Sequence, residues 1–171
     1  TNIVFSKDLF LNDNVNLGMG NSGDYAQFHD GTNTYLSNGT GDFYIRNQAD
    51  DKDIIFQADN GSGGNITYFL LDGSVAGGGN VFTRFPDNSR AVFGTASDMQ
   101  IFHDGTNSEI RNQTGDLLIT NYSDDKDIIF KTDDGSGGLT EYFRVDGGNT
   151  NMVASKTILF SDNVKASFGN A

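Results

Sequence analysis

The sequence predicts an all-β protein made of tandem antiparallel meanders, and three observations carry that reading. The first is composition. The 171 residues include 22 glycines, a single proline and 23 acidic residues, of which only Glu109 and Glu141 are glutamates. Aspartate competes for nearby backbone groups through its short side chain, so it favours turns over helix interiors. The second is periodicity: no stretch places apolar residues at helical spacing over three turns. The third is internal duplication. Displacing the sequence by 74 residues pairs Asp13–Gly73 with Asp87–Gly147 without a gap, and 32 of the 61 pairs are identical.

The elements follow in order within the second copy. "MQIFH" leads through the turn "DGTN" to "SEIR". Then come "NQTG", the run "DLLIT", the turn "NYSDDK", the run "DIIFKT", the loop "DDGSGG" and finally "TEYFRV". Five short strands joined by connections of about four to six residues read as a meander. Asp30-Gly31 and Asp104-Gly105 are hairpin signals, because Asp-Gly supplies the positive φ that tight turns need. Alternation puts Leu117 with Ile119, Ile128 with Phe130, and Phe143 with Val145 on one side. Phe43 with Ile45, Ile54 with Phe56, and Phe69 with Leu71 match them in the first copy. The opposite side is only half polar, carrying Leu118, Ile129 and Tyr142 against Tyr44, Ile55 and Tyr68. A unit of this size gains little surplus stability from one core. Burial against further copies of the chain is therefore expected, with a two-sheet sandwich inside one chain as the alternative.

A third, partial copy closes the chain: "SKTILFSDNVKASFGN" at Ser155–Asn170 matches "SKDLFLNDNVNLGMGN" at Ser6–Asn21. The expected organisation is thus the end of a preceding repeat at 1–12, repeat units at 13–86 and 87–161, and the start of a truncated repeat at 162–171. A chain that opens without methionine and stops inside a repeat reads as a processed product or a piece of a longer tandem array.

Charge and composition also exclude function classes. A net charge of -12 opposes binding to nucleic acid and to anionic membrane surfaces. Without cysteine there is no disulfide to staple the fold, and no apolar run is long enough to cross a bilayer.

Four motifs invite chemistry. "FHDGTN" at Phe28–Asn33 and Phe102–Asn107 holds both histidines, His29 and His103, each followed by an aspartate, Asp30 or Asp104. A catalytic His–Asp pair needs the carboxylate to orient one ring nitrogen, but neighbours on a strand point to opposite faces. One histidine per copy is also a thin metal-ligand set, even if three chains brought their copies together. A structural corner is the favoured reading. "DNGSGG" and "DDGSGG" at Asp59–Gly64 and Asp133–Gly138 resemble a protease nucleophile region or a calcium loop only superficially. They lack partner residues and the ligand spacing of a calcium loop. They read as flexible hairpin loops, with weak calcium binding by Asp59, Asp133 and Asp134 as the alternative. "DDKD" at Asp50–Asp53 and Asp124–Asp127 reads as a solvated turn. The acceptor-like sequons at Asn38, Asn60, Asn65, Asn112 and Asn121 carry no weight in a chain this rich in Asn, Ser and Thr. No catalytic, cofactor or metal residue is assigned, and no enzymatic activity is expected.

The run "FGTASDMQIFHDGTNSEIRNQTGDLLI" from Phe93 to Ile119 resembles the HDG-type β-repeats of tail-fibre and other virion fibre proteins of marine phages, cyanophages among them. The likeness recurs in degraded form from Met19 to Ile45. It implies a homotrimeric fibre on the virion, elongated as a β-prism or β-helix-like wrap and joined to other virion or tail proteins. It implies no catalytic residue and no cofactor. The alternative is a carbohydrate-binding module in which Tyr25, Tyr35 or Tyr122 grips a host cell-surface glycan. The two copies differ there, with Tyr25 against Met99, Tyr35 against Glu109 and Gln48 against Tyr122.

Overall fold

A computed structural model describes residues 7–77 and 79–169. Every regular element among them is a β-strand, and the strands form four antiparallel three-stranded meanders. The first comprises β1 (Leu17–Met19), β2 (Tyr25–His29) and β3 (Thr34–Asn38). The second comprises β4 (Ile54–Asp59), β5 (Asn65–Gly77) and β6 (Asn80–Arg84). The third comprises β7 (Arg90–Phe93), β8 (Met99–His103) and β9 (Ser108–Asn112). The fourth comprises β10 (Ile128–Asp133), β11 (Leu139–Asp146) and β12 (Asn151–Ala154). Each sheet runs in chain order and leaves two open edges. The chain divides into two compact units, Thr1–Ala91 with Ile101–Glu109, and Val92–Gln100 with Ile110–Ala171. The first holds the first two sheets, the second holds the fourth, and the boundary runs through the third sheet.

Equivalent residues of the two sequence copies build equivalent sheets. Phe56 pairs with Phe69 across β4 and β5, and Phe130 with Phe143 across β10 and β11. The rings stack at centroid distances of 4.4 and 4.2 Å, the direct cross-strand contact that stabilises an antiparallel pair. Phe28 and Tyr35 do the same across β2 and β3 at 4.9 Å. Just beyond each phenylalanine pair the register slips by one residue, which leaves Tyr68 and Tyr142 bulged. Their hydroxyls turn back and donate to the carbonyls of Asp59 and Asp133 at 3.0 and 3.1 Å. The bulge therefore ties the strand to the glycine-rich loop it follows.

One expectation needs correction. "DLLIT" at Asp116–Thr120 and its counterpart around Phe43–Ile45 are apolar enough for strands, yet neither joins a ladder. A strand exists only where another backbone offers partners, and among the described residues none is offered there. In their place β1, β6, β7 and β12, which the pattern of alternation did not single out, complete the sheets. The Asp-Gly corners do join β2 to β3 and β8 to β9. Gly31 and Gly105 supply the positive φ there, at 96° and 97°, and the aspartates act through their carboxylates.

The apolar side of each sheet is present but not enclosed. Ile54 and Phe56 face Leu71 and Phe69 across the β4–β5 ladder, as the alternation predicts. Even so, Phe56, Phe130 and Phe143 keep 37–39 % of their surface. The substantial strand–strand contacts all lie between hydrogen-bonded neighbours of one sheet. Phe102 is the one buried apolar residue among those described, with the Arg90 guanidinium 4.0 Å from its ring centroid. The solvent-accessible area is 14501 Å², whereas a folded monomer of 18.5 kDa exposes about 8,200 Å².

Glycine is required where backbones meet. A Cβ on Gly147 would strike the Lys126 carbonyl oxygen, as one on Gly73 would strike that of Lys52, whereas one on Gly18 meets only ordinary contact at 3.9 Å. Gly147→Ala should destabilise by about 1–3 kcal/mol, as overpacking against rigid backbone does. Gly18→Ala should stabilise by about 0.4–1 kcal/mol by restricting the unfolded chain. Urea-unfolding midpoints of the two variants check both signs.

Candidate functional site

The repeated histidine corner is built by its aspartate. Asp30 Oδ1 accepts the Thr32 and Asn33 N–H groups at 2.8 and 2.7 Å, and the Asp30 N–H donates to the Asn33 carbonyl at 3.1 Å. Asp104 repeats this with Thr106 and Asn107 at 2.8 and 2.7 Å. Hydrogen bonds from Asn33 and then Thr32 hold the Asp30 carboxyl below its usual range, and Asn107 and then Thr106 do so for Asp104. A carboxylate committed to two backbone donors is not orienting an imidazole, and the His29 ring goes elsewhere. Its Nδ1 lies 2.9 Å from Asp13 Oδ1 and 3.1 Å from the Gly31 nitrogen. The two contacts demand opposite proton occupancy of one nitrogen: a bare Nδ1 accepts from Gly31, and a protonated one donates to Asp13. His103 Nδ1 instead lies 3.2 Å from the Ser108 hydroxyl. The corners share a turn but not a partner, so neither forms a recurring catalytic pair.

The glycine-rich loops are ordered by nested turns. Asp59 accepts from Gly61 and Gly63 at 2.6 and 3.1 Å, while Asn60 Oδ1 accepts from Ser62 and Gly64 at 2.8 and 3.2 Å. In the second copy Asp133 accepts from Gly135 and Gly137 at 2.7 and 3.2 Å. Asp134 Oδ1 accepts the Ser136 N–H and hydroxyl and the Gly138 N–H. The oxygens that calcium would need thus face backbone donors. Among the described residues no group of three or more His, Cys, Asp or Glu could hold a metal ion.

The acidic turns are more structural than a solvated run implies. Asp53 and Asp127 accept from the Gly73 and Gly147 N–H groups at 2.9 and 3.0 Å, closing each turn onto the chain twenty residues on, within β5 in one copy and just past β11 in the other. Asn38 and Asn112 donate to the carbonyls of the following Thr-Gly pairs, so these sequon amides act as turn braces.

The most enclosed charges are two aspartates that sequence reasoning passed over. The side chains of Asp72 and Asp146 are 2 % and 6 % exposed. Asp72 accepts from the Ser74 hydroxyl and N–H at 2.7 and 3.1 Å and meets Arg84 Nη2 at 2.9 Å. Asp146 accepts the Asn149 N–H at 2.8 Å and meets Arg144 Nη2 at 3.1 Å. The anion is the same in both copies, but its cation comes from β6 in one and β11 in the other. Arg144 also reaches Asp127 at 3.2 Å and Glu141 at 2.9 Å. The sequence signal for them is the Asp-Gly shared by the two copies at Asp72-Gly73 and Asp146-Gly147; with Leu70 opposite Arg144 in the repeat alignment, no one-to-one ion pairing was legible. These charges are matched within the chain and brace the turn.

Of the tyrosines proposed for a glycan, Tyr25 stacks on Phe43 at 6.0 Å and Tyr35 on Phe28. Tyr122 projects into solvent, 95 % exposed. One open groove is largely apolar, lined by Tyr142, Phe143, Met152 and Ile158, and another beside the histidine corner mixes Leu9, Leu11 and Val15 with Gln27, His29 and Thr34. Comparison with family models, curated proteins and solved structures returns no match.

The bonded carboxylates fix the sign of the acid response. Asp30, Asp72, Asp104, Asp134 and Asp146 are all held below the usual 3.8. Unfolding therefore takes up protons near pH 4. Their stabilisation is present in full above the unfolded value and is lost as pH falls through the folded ones. Relief of the -12 charge acts the opposite way. Local bonding should win, giving a thermal midpoint that falls steadily below pH 4; a midpoint that rises on acidification contradicts this.

Proposed function

We propose that this chain is a structural segment of a phage tail fibre or virion fibre, built as a homotrimeric shaft of tandem units of about 74 residues, that projects host-recognition elements away from the particle. One observation supports it above the rest: among the described residues no substantial strand–strand contact joins one meander to another, and the accessible surface exceeds that of a folded monomer of this mass by thousands of Å². A three-stranded sheet is marginal unless a face is packed. In a repeat array each unit buries its faces against neighbours and partner chains, so length grows without new folding information. The acidic exterior limits lateral association, and assembly closes the strand edges. The resemblance of Phe93–Ile119 to virion fibre repeats supplies the biological setting, with other virion proteins as partners.

The glycan-binding reading keeps one supporting feature, the projecting Tyr122. Its counterpart is Gln48, so the platform is not repeated. Selective signal on a glycan array that Tyr122→Ala abolishes would favour that reading.

Light scattering of the chain in solution tests the shaft directly. The predicted mass is three times 18.5 kDa; a monodisperse 18.5 kDa species refutes the assembly.

A further inference from the structure

The segments 42–46 and 116–120 behave as strands with no sheet to join. Tyr44 donates to Asp42 Oδ2 at 3.2 Å, and the Arg46 guanidinium lies 5.5 Å from the Tyr44 ring centroid. Three side chains at i, i+2 and i+4 on one side mark an extended backbone, with Phe43 turned the other way onto Tyr25. The equivalent segment 116–120 contains no turn or bend. No backbone hydrogen bond within the described residues reaches either segment. Each side of 116–120 shows exposed apolar surface, Leu118 at 82 % on one and Leu117 and Ile119 on the other, while in 42–46 Tyr44 lies between Asp42 and Arg46 and Phe43 and Ile45 take the opposite side. An extended run with apolar residues on both sides is the pattern of a strand that packs on both faces.

Burial and backbone pairing are coupled here. Among the described residues the amides of these segments have no protein hydrogen-bond partner, so covering Phe43–Ile45 or Leu117–Ile119 with protein would also cut them off from solvent. Buried N–H and C=O groups must then find other partners, and a neighbouring strand supplies them all at once. We propose that 42–46 and 116–120 are the missing strands of intermolecular sheets, hydrogen-bonded along the main chain to a neighbouring copy of this protein. The inference rests on the assembled state argued above and names the backbone that makes it. The partner is a second copy for two reasons. The excess surface of about 6,000 Å² far exceeds the roughly 800 Å² per partner of a standard interface. The open strand also recurs at the same place in both sequence copies, so its partner must offer strand edges at the same interval. No lysine, proline or bulge guards 116–120, unlike an edge kept from pairing.

Hydrogen exchange on the full chain, at a concentration where scattering gives its mass, tests the proposal with Leu118→Pro and Leu118→Ser. Assembled protein should show the 117–119 and 43–45 amides at least about 100-fold slower than unstructured ones. Leu118→Pro, which removes one donor, should dissociate the assembly, and the β10–β12 amides should lose protection together with it. Leu118→Ser, which keeps the donor, should still assemble. An assembly whose 117–119 amides exchange like an open loop overturns this proposal and leaves the shaft standing, as does a Leu118→Pro variant of unchanged mass. A monomer overturns both.

Discussion

A β-sheet has two faces, and at least one must be covered before the sheet outlasts thermal motion. Among the described residues no substantial strand–strand contact joins one sheet to another, and apart from Phe102 the apolar side chains of the strands stay at least partly open. The aromatic ladders Phe56–Phe69 and Phe130–Phe143 are formed at full cross-strand contact yet retain more than a third of each ring's surface for Phe56, Phe130 and Phe143. Stacking of this kind contributes about 0.2–1 kcal/mol per pair, far less than the ordering entropy of the strands it joins. Whatever finishes the fold must come from apolar surface not yet buried. That single deficit links the repeat, the open grooves and the unpaired extended runs.

Against that missing layer stands a dense system of local fasteners. Aspartate does most of this fastening. Asp30 and Asp104 close the histidine corners, Asp59 and Asp133 the glycine loops, Asp53 and Asp127 the long turns, and Asp72 and Asp146 brace the central strands β5 and β11. Each accepts backbone N–H groups within the same sheet or turn, and Asp72, Asp127 and Asp146 also meet an arginine. Such bonds fix geometry without burying apolar area, which suits a unit whose apolar area is reserved for neighbours. The aspartate that follows each histidine is engaged in this way by its own turn, and the carboxylate beside the His29 ring is Asp13, 2.9 Å from Nδ1.

Much of the fold was legible in the residues. The all-β class, the positions of β2, β3, β4, β8, β9, β10 and β11, and the shared side of Ile54, Phe56, Phe69 and Leu71 follow from alternation and turn chemistry, which are local. What was not legible depends on partners. Leu117–Ile119 has the composition of a strand, but whether it becomes one is decided by a backbone elsewhere. β12, with exposed Met152, has weak composition but sits beside β11. The Asp13–His29 contact spans sixteen residues, and the counter-ion of the buried aspartate changes strand between copies. Period and motif cannot resolve either one.

If the apolar faces are completed by other copies, folding and association are one equilibrium, and stability must rise with protein concentration. Urea-unfolding midpoints, approached from both the folded and unfolded sides over a hundredfold range of chain concentration, measure this directly. A midpoint that climbs steadily with concentration is the predicted result. A midpoint independent of concentration would mean that a single chain satisfies its own sheets, and would contradict the account.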